Sequence, residues 1–129
     1  MRIEHIAIWT RDLEGMRSFF ARYFEAQAGN KYVNRDTGFS SYFLTFSGGA
    51  RLELMHREDL SGPPRRSAQQ TLGFTHMAFS VGDRAAVDRL TQRLSKDGYT
   101  VLDGPRTTGD GYYESRVIGP EGNQIEITI

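Results

Sequence analysis

The sequence predicts an α+β fold in which two tandem βαβββ modules form a curved mixed sheet, and two observations support this. The first is an internal repeat: IEHIAIWTRDLEGMRSFF, from Ile3, and FTHMAFSVGDRAAVDRL, from Phe74, share an early histidine, a strand pattern, an aspartate and an amphipathic helix. The second is length, because 129 residues suit one domain, whereas one unit of about 55 residues buries little surface alone. Two such units are therefore expected to pack together to form a hydrophobic core.

The division of the chain follows from the repeat. We expect a single domain over residues 1–129, with module one at 1–56 and module two at 74–129. The segment between them, residues 57–73, is polar, contains two adjacent prolines and is predicted to be a linker.

Each module is predicted to contain one helix after its first strand. Asp12 and Asp83 are residues of the type that caps helix N-termini, and Gly98 suits a left-handed cap at the end of the second helix. Apolar residues then recur at spacings of three and four, which marks one buried helix face. These residues are Leu13, Met16, Phe20 and Tyr23 in the first helix, and Ala86 or Val87, Leu90 and Leu94 in the second.

The second half of each module is predicted to fold as strand, turn, strand. GFSSYFLTFSGGARLELMHR begins at Gly38 and GYYESRVIGPEGNQIEITI begins at Gly111, and both have turn-forming residues near the middle. A further short strand is expected near residues 31–33 and another near 100–102. Each module then has the order βαβββ.

Composition excludes several classes of function. The chain has 16 Lys plus Arg and 16 Asp plus Glu, so its formal net charge of zero argues against a nucleic-acid partner. It contains no cysteine, which excludes disulfides, thiolate metal sites and thiol nucleophiles. No apolar run approaches the roughly 18 residues of a membrane span, and the N-terminus lacks a signal-peptide pattern. We expect a cytoplasmic protein with no membrane partner that acts on a small molecule.

Four polar residues occupy equivalent positions in the two modules. His5 and His76 lie in the first strand of each module, while Glu53 and Glu126 lie between apolar residues in the last strand. Because strand side chains alternate, the apolar neighbours are expected to face the helices and these four residues the concave side. A lone strand histidine is usually structural, but this coincidence predicts a His₂Glu₂ metal centre. His56 has no counterpart in module two and is predicted to be a structural or surface histidine.

These residues on paired βαβββ modules resemble the vicinal oxygen chelate superfamily, also called the glyoxalase, bleomycin-resistance and dioxygenase superfamily. Module two opens with GFTHMAFSV and ends with GPEGNQIEI, and both segments are typical of this superfamily. The resemblance covers essentially the whole chain. Within it, the ligand set is similar to that of glyoxalase I. The resemblance implies one divalent metal ion per site, and nitrogen and oxygen ligands suit Zn²⁺, Ni²⁺, Co²⁺, Fe²⁺ or Mn²⁺ equally.

The resemblance also implies a lyase or isomerase reaction of the glyoxalase I (lactoylglutathione lyase) type. The ion would bind two adjacent substrate oxygens, and a carboxylate would move a proton between neighbouring carbons of a small substrate, such as a hemithioacetal of an α-ketoaldehyde. By analogy Glu126 is the base, with Glu53 its symmetric alternative. His5 and His76 are implied to be ligands only.

Two positions depart from the glutathione-dependent pattern. Trp9 replaces an arginine four residues after the first ligand, and Arg57 replaces an asparagine four residues after Glu53. These departures weaken the expectation that glutathione is the thiol. Trp9, Met55 and Tyr113 are candidates for the lining of the substrate pocket.

Other functions of the same superfamily stay open at the level of sequence. They include an epimerase, a thiol transferase, a ring-cleaving dioxygenase and a non-catalytic resistance protein that binds a small molecule. Members of the superfamily often dimerise, so a homodimer is expected by resemblance. The sequence leaves open whether one metal site uses ligands from one chain or from two.

Overall fold

The computed structural model describes residues 1–62 and 73–129. The chain divides into two compact units, Met1–Gly62 and Pro63–Ile129. Of the predicted linker, residues 63–72 lie outside the described residues. Among the described residues, each unit contains one α-helix and one mixed sheet, so the predicted α+β class is confirmed.

Unit 1 is a five-stranded sheet with one helix. Its strand order is β1-β5-β4-β2, and β3 pairs with the other end of β4. The β1–β5 pair is parallel and the remaining pairs are antiparallel. The elements are β1 (His5–Trp9), α1 (Leu13–Phe24), β2 (Gln27–Ala28), β3 (Tyr32–Asn34), β4 (Phe39–Thr45) and β5 (Arg51–His56).

Unit 2 repeats this arrangement with four strands. Its order is β6-β9-β8-β7, again with its first and last strands parallel and the others antiparallel. A short 3-10 turn, Pro120–Gly122, precedes the last strand. The elements are β6 (Met77–Ser80), α2 (Arg84–Lys96), β7 (Val101–Thr107), β8 (Tyr113–Ile118) and β9 (Gln124–Thr128).

The strands therefore form two sheets, one in each unit, because the first strand of each module pairs with the last strand of the same module.

Two strands differ from the sequence prediction. The two-residue strand β2 was not predicted, and β7 extends from Val101 to Thr107, well beyond the expected 100–102. Gly104 explains the longer strand: its φ of 80° and its close approach to the backbone of Glu114 suit only glycine, so it sits at a bulge rather than ending the strand.

Both helices begin at the predicted caps. The Asp12 side chain accepts a hydrogen bond from the Gly15 amide at 2.8 Å, and the Asp83 side chain accepts one from the Ala86 amide at 2.7 Å. Gly98 has a φ of 94°, as expected for a glycine that follows a helix end. Within residues 1–62 and 73–129, neither helix is long and apolar enough to cross a bilayer.

The core of each unit lies between its helix and one face of its sheet. Leu52 and Leu54 of β5 are buried, as are Ile125 and Ile127 of β9, while the glutamate between each pair is on the other face. The predicted alternation is therefore present in both last strands. The helices contribute further buried apolar residues, which are Leu13, Met16, Phe19, Phe20, Tyr23 and Phe24 from α1 and Val87 and Leu94 from α2.

A buried hydroxyl pair joins α2 to the sheet of unit 2. Thr91 Oγ1 donates to the Val87 carbonyl at 2.7 Å and lies 2.6 Å from Ser115 Oγ. A carbonyl can only accept, so the Thr91 proton goes to Val87 and the Ser115 hydroxyl must donate to Thr91. The Thr91 hydroxyl thus forms hydrogen bonds with both the Val87 carbonyl and the Ser115 hydroxyl.

We expect Thr91→Val to lower the free energy of unfolding by about 1–3 kcal/mol, because it leaves the Ser115 hydroxyl buried without an acceptor. Ser115→Ala should cost less, about 0.5–1.5 kcal/mol, since Thr91 keeps its bond to Val87. Urea unfolding of both variants and of the double variant measures this. A double variant whose loss equals the sum of the single losses would contradict the coupling.

Candidate functional site

The parallel strand pairs place one histidine beside one glutamate in each unit. In unit 1, His5 is opposite Arg51 and Ala7 is opposite Glu53. His5 and Glu53 therefore share a face of the sheet and are offset by two residues along the strands. In unit 2, Ala78 is opposite Glu126, and His76 immediately precedes β6. The faces that carry these side chains are opposite to the faces that pack on the helices.

The pair in unit 1 is His5 and Glu53. His5 Nε2 lies 3.9 Å from Glu53 Oε2, and the two side chains are 41% and 15% exposed. The His5 ring meets the ring of Phe43 edge-on, with centroids 5.4 Å apart. Phe43 is opposite Glu53 on β4, so an aromatic ring borders both members of the pair.

The pair in unit 2 is His76 and Glu126. His76 Nε2 lies 3.3 Å from Glu126 Oε2, and the side chains are 35% and 16% exposed. His76 Nδ1 is buried and has no hydrogen-bond partner among the described residues. Nε2 is thus the ring atom that faces the carboxylate in both units.

The separations within the two pairs can be compared with those of two ligands on one metal ion. Ligand atoms about 2.1 Å from one ion, at tetrahedral or right angles, lie about 3.0 to 3.4 Å apart. The 3.3 Å separation of His76 and Glu126 is within this range. The 3.9 Å separation of His5 and Glu53 is about 0.5 Å longer than this range.

Among residues 1–62 and 73–129, no three histidine, aspartate or glutamate side chains form a group that could hold an ion. The structure brings together His5 with Glu53 and His76 with Glu126. Each unit thus supplies two of the four predicted ligands, and the four-ligand centre stays a prediction.

The surroundings of Glu126 differ from those of Glu53. Arg116 is opposite Glu126 in the sheet and its guanidinium lies 3.8 Å from Asp103, whereas an aromatic ring is opposite Glu53. Glu114, on the same face, has its pKa raised by burial and by the negative charge of Glu126. The second unit therefore surrounds its carboxylate with charged groups of both signs.

Two of the predicted pocket residues lie on the face that carries His5 and Glu53. Trp9 and Met55 are opposite each other in the β1–β5 pair. The Trp9 ring is exposed, packs edge-on against Phe39 and has the Arg57 guanidinium 5.9 Å from its centroid. Both residues can therefore border a ligand held at this face.

Tyr113, the third predicted pocket residue, lies elsewhere. Its hydroxyl donates to Asp88 on α2 at 2.7 Å, and the Arg84 guanidinium lies 4.8 Å from its ring centroid. Tyr113 shares the helix-facing side of β8 with buried Ser115, opposite to the side that carries Arg116. Tyr113 thus lies on the face of β8 opposite to that of Arg116, and its place in the lining of the substrate pocket stays a prediction.

His56 makes a structural contact. Its Nδ1 lies 2.9 Å from the Thr10 carbonyl oxygen, which links the ends of β1 and β5. It lies on the face opposite to Glu53, in keeping with its exclusion from the predicted ligand set.

Comparison with known proteins identifies the family. Residues 2–127 match the family described as the Glyoxalase/Bleomycin resistance protein/Dioxygenase superfamily. The chain belongs to this superfamily. It is 24% identical to the uncharacterized protein YqjT of Bacillus subtilis (strain 168) over 132 residues, which cover 97% of this chain and 96% of that protein.

Two solved structures show the same fold. A glyoxalase family protein from Bacillus cereus superposes with a TM-score of 0.79 at 19% identity, covering 99% of this chain and 93% of that one. The trypanothione-dependent glyoxalase I of Leishmania major superposes with a TM-score of 0.76 at 20% identity, covering 99% of this chain and 86% of that one. The superfamily fold thus extends over both units.

Sequence reasoning missed several residues around the two pairs. The alternation of side chains along β5 predicts that Arg51 lies on the same face as Glu53. Pairing β8 with β9 across their turn would have placed Arg116 beside Glu126. Glu4 has no periodic signal, because it precedes β1 and only its adjacency to His5 marks it. The missed residues on these faces are Glu4, Phe43, Arg51, Asp103, Glu114 and Arg116.

Glu114 and Asp103 should give stability changes of opposite sign in the metal-free protein. The raised pKa of Glu114 means that its ionised form disfavours folding, so Glu114→Gln should raise Tm more at about pH 7 than at about pH 4. A hydrogen bond from Arg106 lowers the pKa of Asp103, so its stabilising effect is lost as pH falls, and Asp103→Asn should lower Tm more at about pH 7. Thermal unfolding in chelator checks both; equal shifts at the two pH values would contradict the assignment.

Proposed function

We propose that this protein is a metal-dependent lyase or isomerase of the glyoxalase I type. The observation that carries the proposal is the duplicated histidine–glutamate pair, at equivalent positions of two parallel strand pairs. Two such pairs provide two neutral nitrogens and two carboxylates, which together balance one divalent cation. Membership of the superfamily supports this reading.

The residues have distinct proposed roles. His5, Glu53, His76 and Glu126 hold one divalent ion, which when bound would act as a Lewis acid toward two adjacent oxygens of a small substrate. Glu126 takes a proton from one substrate carbon and returns it to the next. Its neighbours suit this work, since Arg116 and Glu114 place charges of both signs beside it. Glu53 is opposite the ring of Phe43, on which the Arg51 guanidinium stacks.

The proposed protein is a cytoplasmic homodimer in which each site needs one unit of each kind. Whether the two units come from one chain or two is a matter for experiment, because the described contacts define each pair within its own unit.

Elemental analysis of the purified protein should find one divalent metal ion for each set of four ligands. Glu126→Gln and His76→Ala should each lower metal occupancy, because each removes a ligand. His56→Gln is the matched control and should retain the metal, since His56 binds the Thr10 carbonyl. Failure to bind Zn²⁺, Ni²⁺, Co²⁺, Fe²⁺ or Mn²⁺ after reconstitution would overturn the proposed site.

The two glutamates should differ in the reaction when both variants are saturated with metal. We expect Glu126→Gln to lower kcat for hemithioacetal isomerisation by about 10²- to 10⁴-fold, the usual contribution of a general base. Glu53→Gln should lower it less, because the base remains. The reverse order would assign the proton transfer to Glu53.

One mixing experiment identifies which units share an ion. His5→Ala and His76→Ala chains are each inactive in the proposal, and they are co-expressed with different tags so that mixed dimers can be purified. If a site combines units of two chains, each mixed dimer has one intact ligand set and regains activity. If a site uses one chain, every site lacks a histidine and the mixed dimer stays inactive.

The residue at position 9 should set the choice of thiol. Trp9 presents an exposed aromatic surface on the face of His5, and the nearby Arg57 is bonded to Asp59 by two hydrogen bonds. We expect the methylglyoxal adduct of a neutral thiol such as 2-mercaptoethanol to react better than the glutathione adduct.

Trp9→Arg should raise kcat/KM for the glutathione adduct roughly tenfold, since a charge-assisted hydrogen bond to a carboxylate contributes on that order. Trp9→Ala is the control and should give no such gain. A wild-type preference for glutathione would remove the basis for this prediction.

A further inference from the structure

The Glu4 carboxylate makes two contacts that connect His5 to β5. One carboxylate oxygen accepts a hydrogen bond from His5 Nδ1, and the other accepts one from the Arg51 guanidinium. The Glu4 carbonyl oxygen also accepts from the Arg51 amide at 3.0 Å. Arg51 is itself held by stacking on Phe43, with the guanidinium carbon 4.2 Å from the ring centroid. Glu4 is thus fixed by backbone and side chain although it is exposed.

The contact with Glu4 determines which ring nitrogen of His5 carries the proton. A carboxylate can only accept, so Nδ1 must be the protonated nitrogen whenever the His5 ring is neutral. The lone pair then lies on Nε2, the atom that faces Glu53. The Phe43 ring, edge-on to the His5 ring, limits its rotation.

His76 lacks this arrangement. The residue before it is Thr75, whose hydroxyl is not a carboxylate, and His76 Nδ1 is buried without a hydrogen-bond partner among the described residues. The duplicated pair is therefore asymmetric: a carboxylate sets the protonation of one histidine, and no described contact sets that of the other.

We propose that Glu4 is a positioning residue, which holds His5 in the Nδ1-protonated form with Nε2 ready to bind the metal ion, and that Arg51 holds Glu4 in place. The inference rests on the proposed function and adds to it a residue outside the four ligands. A carboxylate on the second nitrogen of a metal-binding histidine orients the ring and strengthens the ligand, and its loss typically weakens metal affinity about 10- to 100-fold.

The first test measures the protonation of His5 in the metal-free protein. Two-bond ¹⁵N–¹H NMR spectra at about pH 8.5, where histidine is ordinarily neutral, distinguish the two nitrogens of each ring. We expect a protonated Nδ1 on His5 in the wild-type protein. Glu4→Ala should shift His5 toward the Nε2-protonated form, while Glu4→Gln, whose amide oxygen can still accept, should retain the wild-type signal.

The second test measures affinity for Zn²⁺ by competition with a chromophoric chelator. Glu4→Ala should raise the Kd for Zn²⁺ about 10- to 100-fold, and Glu4→Gln much less. Thr75→Ala is the matched control in the other unit and should change neither the His76 spectrum nor the affinity. Circular dichroism confirms that each variant is folded, which is expected because Glu4 is exposed and precedes β1.

The outcomes separate this inference from the proposed function. An unchanged His5 spectrum in Glu4→Ala, or a Kd within error of wild type, would overturn the role of Glu4. A wild-type protein that binds none of Zn²⁺, Ni²⁺, Co²⁺, Fe²⁺ and Mn²⁺ but shows the shift in Glu4→Ala would support the contact and overturn the proposed metal site instead. A loss of affinity in Thr75→Ala equal to that in Glu4→Ala would show a general effect of substitution and would also overturn the inference.

Discussion

Each unit is organised around one parallel strand pair, β1 with β5 and β6 with β9. The helix between the first and last strands of a unit requires an apolar face on the sheet, and Leu52, Leu54, Ile125 and Ile127 provide it. Because side chains alternate, burial of these residues places every second residue on the other face. Glu53 and Glu126 therefore face away from the helices as a consequence of the core, and the register of the parallel pair brings a histidine to each.

Both units have the same parallel strand pair with a histidine and a glutamate, but the residues around the two pairs differ. Phe43 is opposite Glu53, whereas Arg116 is opposite Glu126. Glu4 bonds to His5, whereas the equivalent position before His76 is threonine. The first pair thus lies beside an aromatic ring and has a carboxylate on its histidine, and the second has an arginine opposite its glutamate and no such carboxylate. Different surroundings can give two carboxylates different roles, and the proposed reaction assigns the proton transfer to one of the two.

The features that could be predicted from sequence are those set by local chemistry. The caps at Asp12 and Asp83 and the alternation around the two glutamates depend on neighbours within four residues. The strand β2 could not be predicted, since two residues carry no periodicity. The extent of β7 was hidden by Gly104, which resembles a strand terminator and is instead a bulge.

The contacts that complete the candidate site depend on register between distant segments, and this is why sequence reasoning missed them. Arg51 reaches Glu4 because β5 pairs with β1 across an intervening helix and three strands. The parallel register that aligns them is set by the packing of that whole crossover and is not encoded in either strand alone. The contact of Tyr113 with Asp88 likewise depends on how α2 packs on β8, and the sequence around Tyr113 does not indicate it.

An ion that needs both kinds of unit would couple metal binding to assembly. A single histidine–glutamate pair leaves most of the coordination sphere of a divalent cation to water, so one unit alone is a weak site. When both pairs bind the same ion, its binding free energy also favours the arrangement of units that brings the pairs together, by about 2.7 kcal/mol at a metal concentration of 100 Kd. His5 enters such a site with its proton already placed by Glu4, whereas the buried Nδ1 of His76 has no described partner to do the same. In the proposed site, the histidine of unit 1 would therefore bind the ion with its ring already oriented, whereas binding would have to select the protonation of His76.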